Sequence, residues 1–488
     1  MSARIDPISP RLTWRVLTPE DLVRIHEATL EVLAEVGCRF PSERSLDVLE
    51  QNGCLVDRAT EMVRFPRAVV EEAVGRAPHE YVLAARDPEA DLRIDGRHCY
   101  LSNDGSGLSV WDHVRGEKRP STKADAATSA RFVDAIPELS YYWGPVVTST
   151  DVPPASKALH DAEAVFNNTT KHFQTVTTQR ELPMRYLVEM AAVVAGGTDE
   201  LRARPIVSSM QCAVDPLGHD GANLEANLVA AEYGLPCGVM PMPMAAGTSP
   251  ATMAGTLVVH NAEALSGIVL LQLASPGVPC FVSAAPSVID LMTGGYTGGA
   301  PEDYILATAC CELAHFYGLP IAMGTMATGA KEPDWQAAVD DSLSTFASVM
   351  GHADMMNGAG LLNGSKILSY PHMVMETEIY RIVKRMAGGI VVDEDTLALD
   401  VIKTVGQGGT YLVEKHTRDH MRELWRPKVW DREPYESWLQ GGKRGALEKA
   451  TEIADEVLAT HEPEPLPEDV QAELRRIVQR ADAELAGA

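Results

Sequence analysis

Aromatic side chains are scarce, at 6% of the chain, so each cluster of them carries weight. Basic residues are short as well. Forty-two lysines and arginines face 68 aspartates and glutamates, which leaves the 488 residues at −26 near neutral pH. A surface of that sign repels nucleic acid and anionic lipid and argues against both as partners. None of the eight cysteines forms a Cys-x-x-Cys pair, and several sit in apolar runs. They are expected to be reduced core residues of a cytoplasmic protein, not a disulfide framework. The amino end, Met1-Ser-Ala-Arg-Ile-Asp6, lacks an apolar signal region. The most apolar stretch, 251–275, is broken by His260, Asn261 and Glu263, which predicts a buried helix and not a membrane span. No P-loop, dinucleotide fingerprint, nucleophile elbow or kinase set is present.

What is present is a regular alternation. Extended runs at 143–149, 172–177, 206–212, 238–244, 280–287, 321–326 and 355–360 are separated by amphipathic or apolar helical patterns. Gly234-Leu-Pro236, Gly277-Val-Pro279 and Gly318-Leu-Pro320 each end a helix and open a strand, the signature of αβ turns in a parallel sheet. Seven strand–helix units are visible, and an eighth is placed at 366–369 leading into 373–386. Eight units predict an α/β fold of the (β/α)8 TIM-like barrel type, with a doubly wound open sheet as the alternative. The expected division is an N-terminal α+β region over 1–135, the barrel over 136–395 and a C-terminal helical extension over 396–488. Thr18-Pro-Glu-Asp21 has the form of a helix capping box. The stiff segment Glu462-Pro-Glu-Pro-Leu-Pro-Glu468 precedes an acidic last helix.

Several residues suggest chemistry, each with an ordinary alternative. Tyr141, Tyr142 and Trp143 open a strand, while Tyr100, Trp111, Tyr296, Tyr370 and His372 fall in loops or at element ends. Aromatic faces can hold a quaternary ammonium, which has no N–H to donate; core packing is the ordinary role. Met240, Met242 and Met244 share one strand face, as core filling or as a soft lining for a methylated ligand. The glycine-rich pieces are turns by default, but Gly294–Gly299 suits close backbone approach to a large ligand. His416, His420 and Glu423 have zinc-like spacing on one helix, without a His-Glu-x-x-His motif and in charged surroundings, so no metal site is expected. Asp215-Pro-Leu-Gly-His219 has the wrong spacing for a corrinoid-ligating Asp-x-His motif.

The order of several stretches then resembles the trimethylamine methyltransferase family. They are Ile25 through Gly37, Ser283-Ala-Ala-Pro-Ser287, Gly298-Gly-Ala-Pro-Glu302, Gly318 through Gly324, Ala330-Lys-Glu-Pro-Asp-Trp-Gln336, His416-Thr-Arg-Asp-His420, Trp425-Arg-Pro-Lys428 and Gly441-Gly-Lys443. The resemblance covers nearly the whole chain. It implies a (β/α)8 barrel that moves a methyl group from a methylated amine to Co(I) of a separate, cognate corrinoid protein. No tightly bound cofactor is expected in the chain itself. The archaeal trimethylamine enzymes carry pyrrolysine, whereas this chain uses only standard residues. It therefore resembles the group without pyrrolysine, which implies a small quaternary amine such as glycine betaine as substrate. A quaternary ammonium already has a neutral tertiary amine as its leaving group, so the protein's task is alignment and water exclusion. The expected substrate-binding residues are Tyr100, Asn103, Trp143, Gln211, Tyr296, Tyr370, His372 and Glu376. Glu376 or its neighbour Glu378 pairs with the ammonium or caps a helix. Gly298 and Gly324 are expected to face the corrinoid. A homo-oligomer is expected too. Two other functions stay open: a non-catalytic amine-binding or assembly barrel, and a zinc-dependent methyltransferase using His416, His420 and Glu423.

Overall fold

The computed structural model describes residues 4–176, 178 and 180–486; the expected strand end at Thr177 lies outside them. Eight parallel strands close into a barrel. In chain order they are β1 (Tyr100–Asn103), β2 (Leu139–Gly144), β3 (Phe173–Thr175), β4 (Val207–Cys212), β5 (Cys237–Met240), β6 (Cys280–Ala284), β7 (Ile321–Gly324) and β8 (Met355–Ala359). Each is followed by a helix: α1 (Lys123–Ala135), α2 (Lys157–Asn168), α3 (Glu181–Ala195), α4 (Gly221–Glu232), α5 (Met253–Ala274), α6 (Pro301–Phe316), α7 (Trp335–Met350) and α8 (Tyr370–Ala387). The three Gly-x-Pro junctions behave as expected. Gly234, Gly277 and Gly318 all take left-handed backbone angles, which end a helix cheaply only in glycine. The Thr18–Asp21 capping box forms at the start of the first helix, Pro19–Glu35.

The closing strand is not the expected one. Ile367–Leu368 joins a side sheet, antiparallel to Leu361–Leu362 and parallel to Ser109–Asp112. The reason is length. A parallel return within one sheet needs a crossover of about a dozen residues, and only seven residues separate β8 from Ile367. The barrel is closed instead by β1, which pairs with β8 on one side and β2 on the other. The barrel thus takes its first strand from inside the expected 1–135 region rather than beginning at residue 136.

The barrel interior is packed, not hollow. Tyr100, Tyr141, Met210, Phe281, Ala322 and Met355 fill it, and Leu83, Leu92 and Ile94 of the hairpin Tyr81–Leu83/Leu92–Ile94 pack onto the same cluster. Gly238 on β5 belongs to this fit: a Cβ there would lie 2.3 Å from the Phe281 ring. The packing opens toward the carboxyl ends of the strands. Outside, Pro19–Glu35 and the helices Glu43–Gln51 and Arg67–Val74 pack on α5. That second cover explains why α5 is apolar all round: 78% of its most apolar window is buried inside the protein. On another side, the helix Ala446–Thr460 packs on α8 and α1, and the last helix, Glu468–Leu485, packs on α2 and α3.

Candidate active site

All eight strands end at one cavity of about 630 Å³. Asp104 follows β1, Trp143 lies on β2, Val176 follows β3, and Cys212, Met240 and Ser283 come from β4, β5 and β6. Gly324 ends β7, and Asn357 lies on β8. Met242, Met244, Asp215 and Tyr296 reach the wall from the loops above. The three methionines do face one cavity, but not from one strand as expected: β5 ends at Met240, and Met244 belongs to a separate short strand, Met244–Ala245.

The wall is aromatic, thioether-rich and acidic. Among the described residues it contains no lysine, arginine or histidine. Asp104 is buried; its Oδ1 accepts the Gly105 N–H at 2.7 Å, and its Oδ2 has no hydrogen-bond partner. Burial pushes this carboxyl up to about 7, against the opposing pull of the Ser365 hydroxyl and the Gly105 amide. Asp215 Oδ1 is likewise buried, and Asp215 shares a side-chain hydrogen bond with a second carboxyl group. Behind Asp215 stands Glu263 of α5, whose Oε1 accepts the Leu217 N–H at 2.5 Å. Burial, together with the Asp215 carboxylate, pushes Glu263 up to about 10, so Glu263 stays protonated at neutral pH. Trp143 presents its ring with a buried Nε1–H that finds no acceptor among the described residues. Gly105 packs against that ring, and a Cβ at Gly105 would lie 2.8 Å from it. Tyr296 is half-exposed on the Gly294–Gly299 loop, and burial plus the Asp303, Asp104 and Asp340 carboxylates hold its phenol well above the usual range. The Cys212 thiol is pushed up to about 11 by burial and by Asp215, so it is not a thiolate nucleophile near neutral pH.

The other expected site residues are distributed as follows. Trp143, Tyr296 and Gly324 line the cavity. Asn103 adjoins it but serves the barrel: its Oδ1 accepts the Trp143 N–H at 3.2 Å, and its amide donates to the Asp104 and Trp143 carbonyls. Gln211 is buried beside His219, its Nε2 3.5 Å from Nδ1 of that ring. Gly298 supports the Tyr296 ring from outside the wall, where a Cβ would come within 2.9 Å of that ring. Tyr100 does not reach the cavity. It begins β1, so its ring lies in the packed interior and its hydroxyl accepts the Arg93 N–H at 3.1 Å. Tyr370 starts α8 in the outer layer, its ring 4.7 Å from that of Phe132. His372 and Glu376 are buried farther along α8, with Asp341 of α7, and do not line the cavity. Glu378 Oε1 accepts the Lys428 N–H, and its Oε2 the Arg381 guanidinium, tying the C-terminal extension down. His420 sits in that extension with Asp395 and Glu423, and none of the three lines the cavity.

Asp104 and Asp215 are the residues that sequence patterns missed. Asp104 was hidden in a turn-like Asp-Gly-Ser-Gly string and Asp215 in a loop. The usable signal for Asp104 was its place directly after a barrel strand, which required knowing that β1 closes the barrel.

The chain matches the family model described as trimethylamine methyltransferase over residues 5–486. It is 37% identical over 466 residues to the trimethylamine methyltransferase MttB of Desulfitobacterium hafniense, covering 95% of this chain and 93% of that protein. It is 31% identical to the Methanosarcina barkeri MttB over 97% of this chain and 96% of that one. It is 30% identical to a glycine betaine methyltransferase of Desulfitobacterium hafniense, over 97% and 98% of the two chains. The Methanosarcina barkeri monomethylamine methyltransferase shares the fold, with a TM-score of 0.52 at 11% identity, over 96% of this chain and 92% of that one. With a closed barrel, a mouth cavity walled by aromatic, thioether and acidic groups, and kinship along the full length, the chain belongs to the trimethylamine methyltransferase family and is a methyltransferase.

Proposed function

We propose that this methyltransferase binds a small quaternary amine in the mouth cavity and gives one methyl group to Co(I) of a separate corrinoid protein. The observation that carries this is the composition of the wall: Trp143, three methionines and the acidic groups Asp104 and Asp215, the first with an unpartnered oxygen, and no cationic side chain opposing them among the described residues. Such a wall suits a methylated cation. The Trp143 face offers cation–π attraction of about 1–2 kcal/mol once water is excluded. Asp104 and Asp215 supply the charge that an N⁺(CH₃) group needs and cannot obtain by donating hydrogen bonds. When the methyl group leaves, its bonding pair stays on nitrogen, and the product is a neutral tertiary amine. That product is no longer held by the carboxylates, which favours its release. The relative named a glycine betaine methyltransferase supports a quaternary substrate.

The corrinoid supplies the nucleophile from the partner protein; this chain's own residues orient the amine and keep water out. Leu291 and Met292, 80% and 92% exposed on the loop beside Tyr296, are the surface on which that partner is expected to close. A carboxylate on the substrate would meet neutral donors here, hydroxyls, backbone amides, the Asn357 amide and the Trp143 Nε1–H, and no cationic side chain among the described residues. We therefore rank a carboxylate-free quaternary ammonium, such as choline or tetramethylammonium, ahead of a betaine. Calorimetry against these two, glycine betaine, carnitine and trimethylamine tests the proposal. Saturable binding of a quaternary amine, followed by methylation of cob(I)alamin with that amine as donor, is the expected result. Binding of trimethylamine alone would overturn it. The exposed apolar side chains over 390–439 support a homo-oligomer as well, with a second copy covering them.

A further inference from the structure

We propose that Asp341, His372 and Glu376 form a buried binding site for one divalent transition-metal ion, separate from the amine cavity. His372 and Glu376 lie one turn apart on α8, and Asp341 faces them from α7. The three side chains are 1%, 2% and 0% exposed. His372 Nε2 is 3.4 Å from Asp341 Oδ2 and 3.3 Å from Glu376 Oε1. Both nitrogens of His372, both oxygens of Asp341 and Oε1 of Glu376 are buried without a hydrogen-bond partner. Three ligand atoms of three buried residues thus converge within 4.8 Å of one another.

The spacing favours a cation at the centre over direct hydrogen bonds. An N–H···O bond runs at about 2.7–3.2 Å, shorter than either separation. Ligands bound tetrahedrally at about 2.0–2.1 Å sit roughly 3.3–3.4 Å apart, which matches both. Charge points the same way. Two carboxylates buried side by side are costly, and a divalent cation neutralises them with a neutral imidazole as third ligand. The nitrogen donor selects a zinc-like or manganese-like ion over magnesium or calcium. The other Glu376 oxygen, Oε2, accepts the Gly360 N–H at 2.6 Å, directly after β8. An ion here ties α7 and α8 to the end of the strand that carries Asn357 into the cavity wall. None of the three ligands touches that cavity, so the ion's role is structural.

The test is elemental analysis of the full chain, carried in a His416→Ala/His420→Ala background to remove the exposed Asp395–His416–His420 group. After passage over chelating resin, about one equivalent of a transition metal per chain is expected, falling below about a tenth in His372→Gln. The parent chain is also unfolded and refolded with zinc, with manganese or with chelator. A melting temperature several degrees higher with a metal is expected. The proposal is overturned by a metal-free parent whose melting temperature ignores added metal. It is equally overturned by equal metal content in the parent and in His372→Gln. Because the refolding comparison uses the parent, it does not depend on how the variant folds.

Discussion

Asp104 joins charge, burial and function at a single position. Its carboxyl is pushed up to about 7, so in the free protein it is half ionised near neutral pH. A cation binds the ionised form. Amine affinity should therefore rise as pH climbs from 6 to 8, by about tenfold, and then level off. Calorimetry in two buffers of different ionisation enthalpy should show proton release on binding at pH 7. In Asp104→Asn both effects should vanish, and affinity at pH 8 should fall by about tenfold. Stability runs with the opposite sign. A carboxyl whose folded pKa lies above its unfolded value loses stability as pH rises from about 4 through 7. The ligand-free Asp104→Asn protein should accordingly melt higher than the parent at pH 8. Beside it, Gly105 leaves room for the Trp143 ring. Gly105→Ala should displace that ring and weaken amine binding several-fold with little change in the far-ultraviolet spectrum. The tryptophan was legible in the sequence because aromatics are few. Tyr100 and Tyr370 were legible as aromatics at element ends, but Tyr100 opens a strand at the end away from the mouth, and the Tyr370 ring turns into the helix layer against Phe132.

At the scale of elements, seven strands and their helices were legible because each pairs a short apolar run with a punctuated turn. The Gly-x-Pro junctions place a left-handed glycine and a strand-starting proline where both are cheap. The eighth strand was not legible. β1 is four residues long and sits among other short strands, with nothing local to distinguish it. The Gly294–Gly299 loop presents Tyr296 to the cavity and, just before it, Leu291 and Met292 to solvent. If the corrinoid protein closes on that surface, Leu291→Glu/Met292→Glu should leave the amine dissociation constant unchanged. Methyl transfer to the corrinoid protein should fall at least tenfold, while transfer to free cob(I)alamin falls less. Equal losses with both acceptors would remove the loop from docking.

Across the whole molecule, the segments before and after the barrel hold it from outside. The C-terminal extension is fastened at Asp134 of α1. His461 Nε2 lies 2.9 Å from Asp134 Oδ2, and the Thr170 N–H and hydroxyl also reach this carboxylate, at 2.6 and 2.8 Å. Burial alone would push Asp134 up. His461, Lys171 and Thr170 together reverse this and hold it well below the usual range. A depressed carboxyl stabilises fully above its unfolded value and loses that contribution as pH falls below about 4. His461→Ala should lower the melting temperature at pH 7, and the deficit relative to the parent should shrink under acid. Ile390, Val391, Leu412 and Val413, each more than half exposed, belong to the face expected to meet another copy. Light scattering after size exclusion should show an oligomer, and charged replacements at Leu412 and Val413 should shift it toward monomer.

By itself the sequence determined the alternating architecture, the absence of a disulfide framework and the family, because these rest on local periodicity, spacing and order along the chain. The tertiary structure decided which strand closes the barrel, that Asp104, Asp215, Trp143 and Tyr296 share one cavity, and where His372 and Glu376 belong. Those are long-range facts. Asp104 meets Trp143 across a strand pair, Asp215 meets Glu263 across a loop and a helix, and Asp341 meets His372 between helices. No local pattern encodes such pairings; they exist only once eight strands have closed a ring.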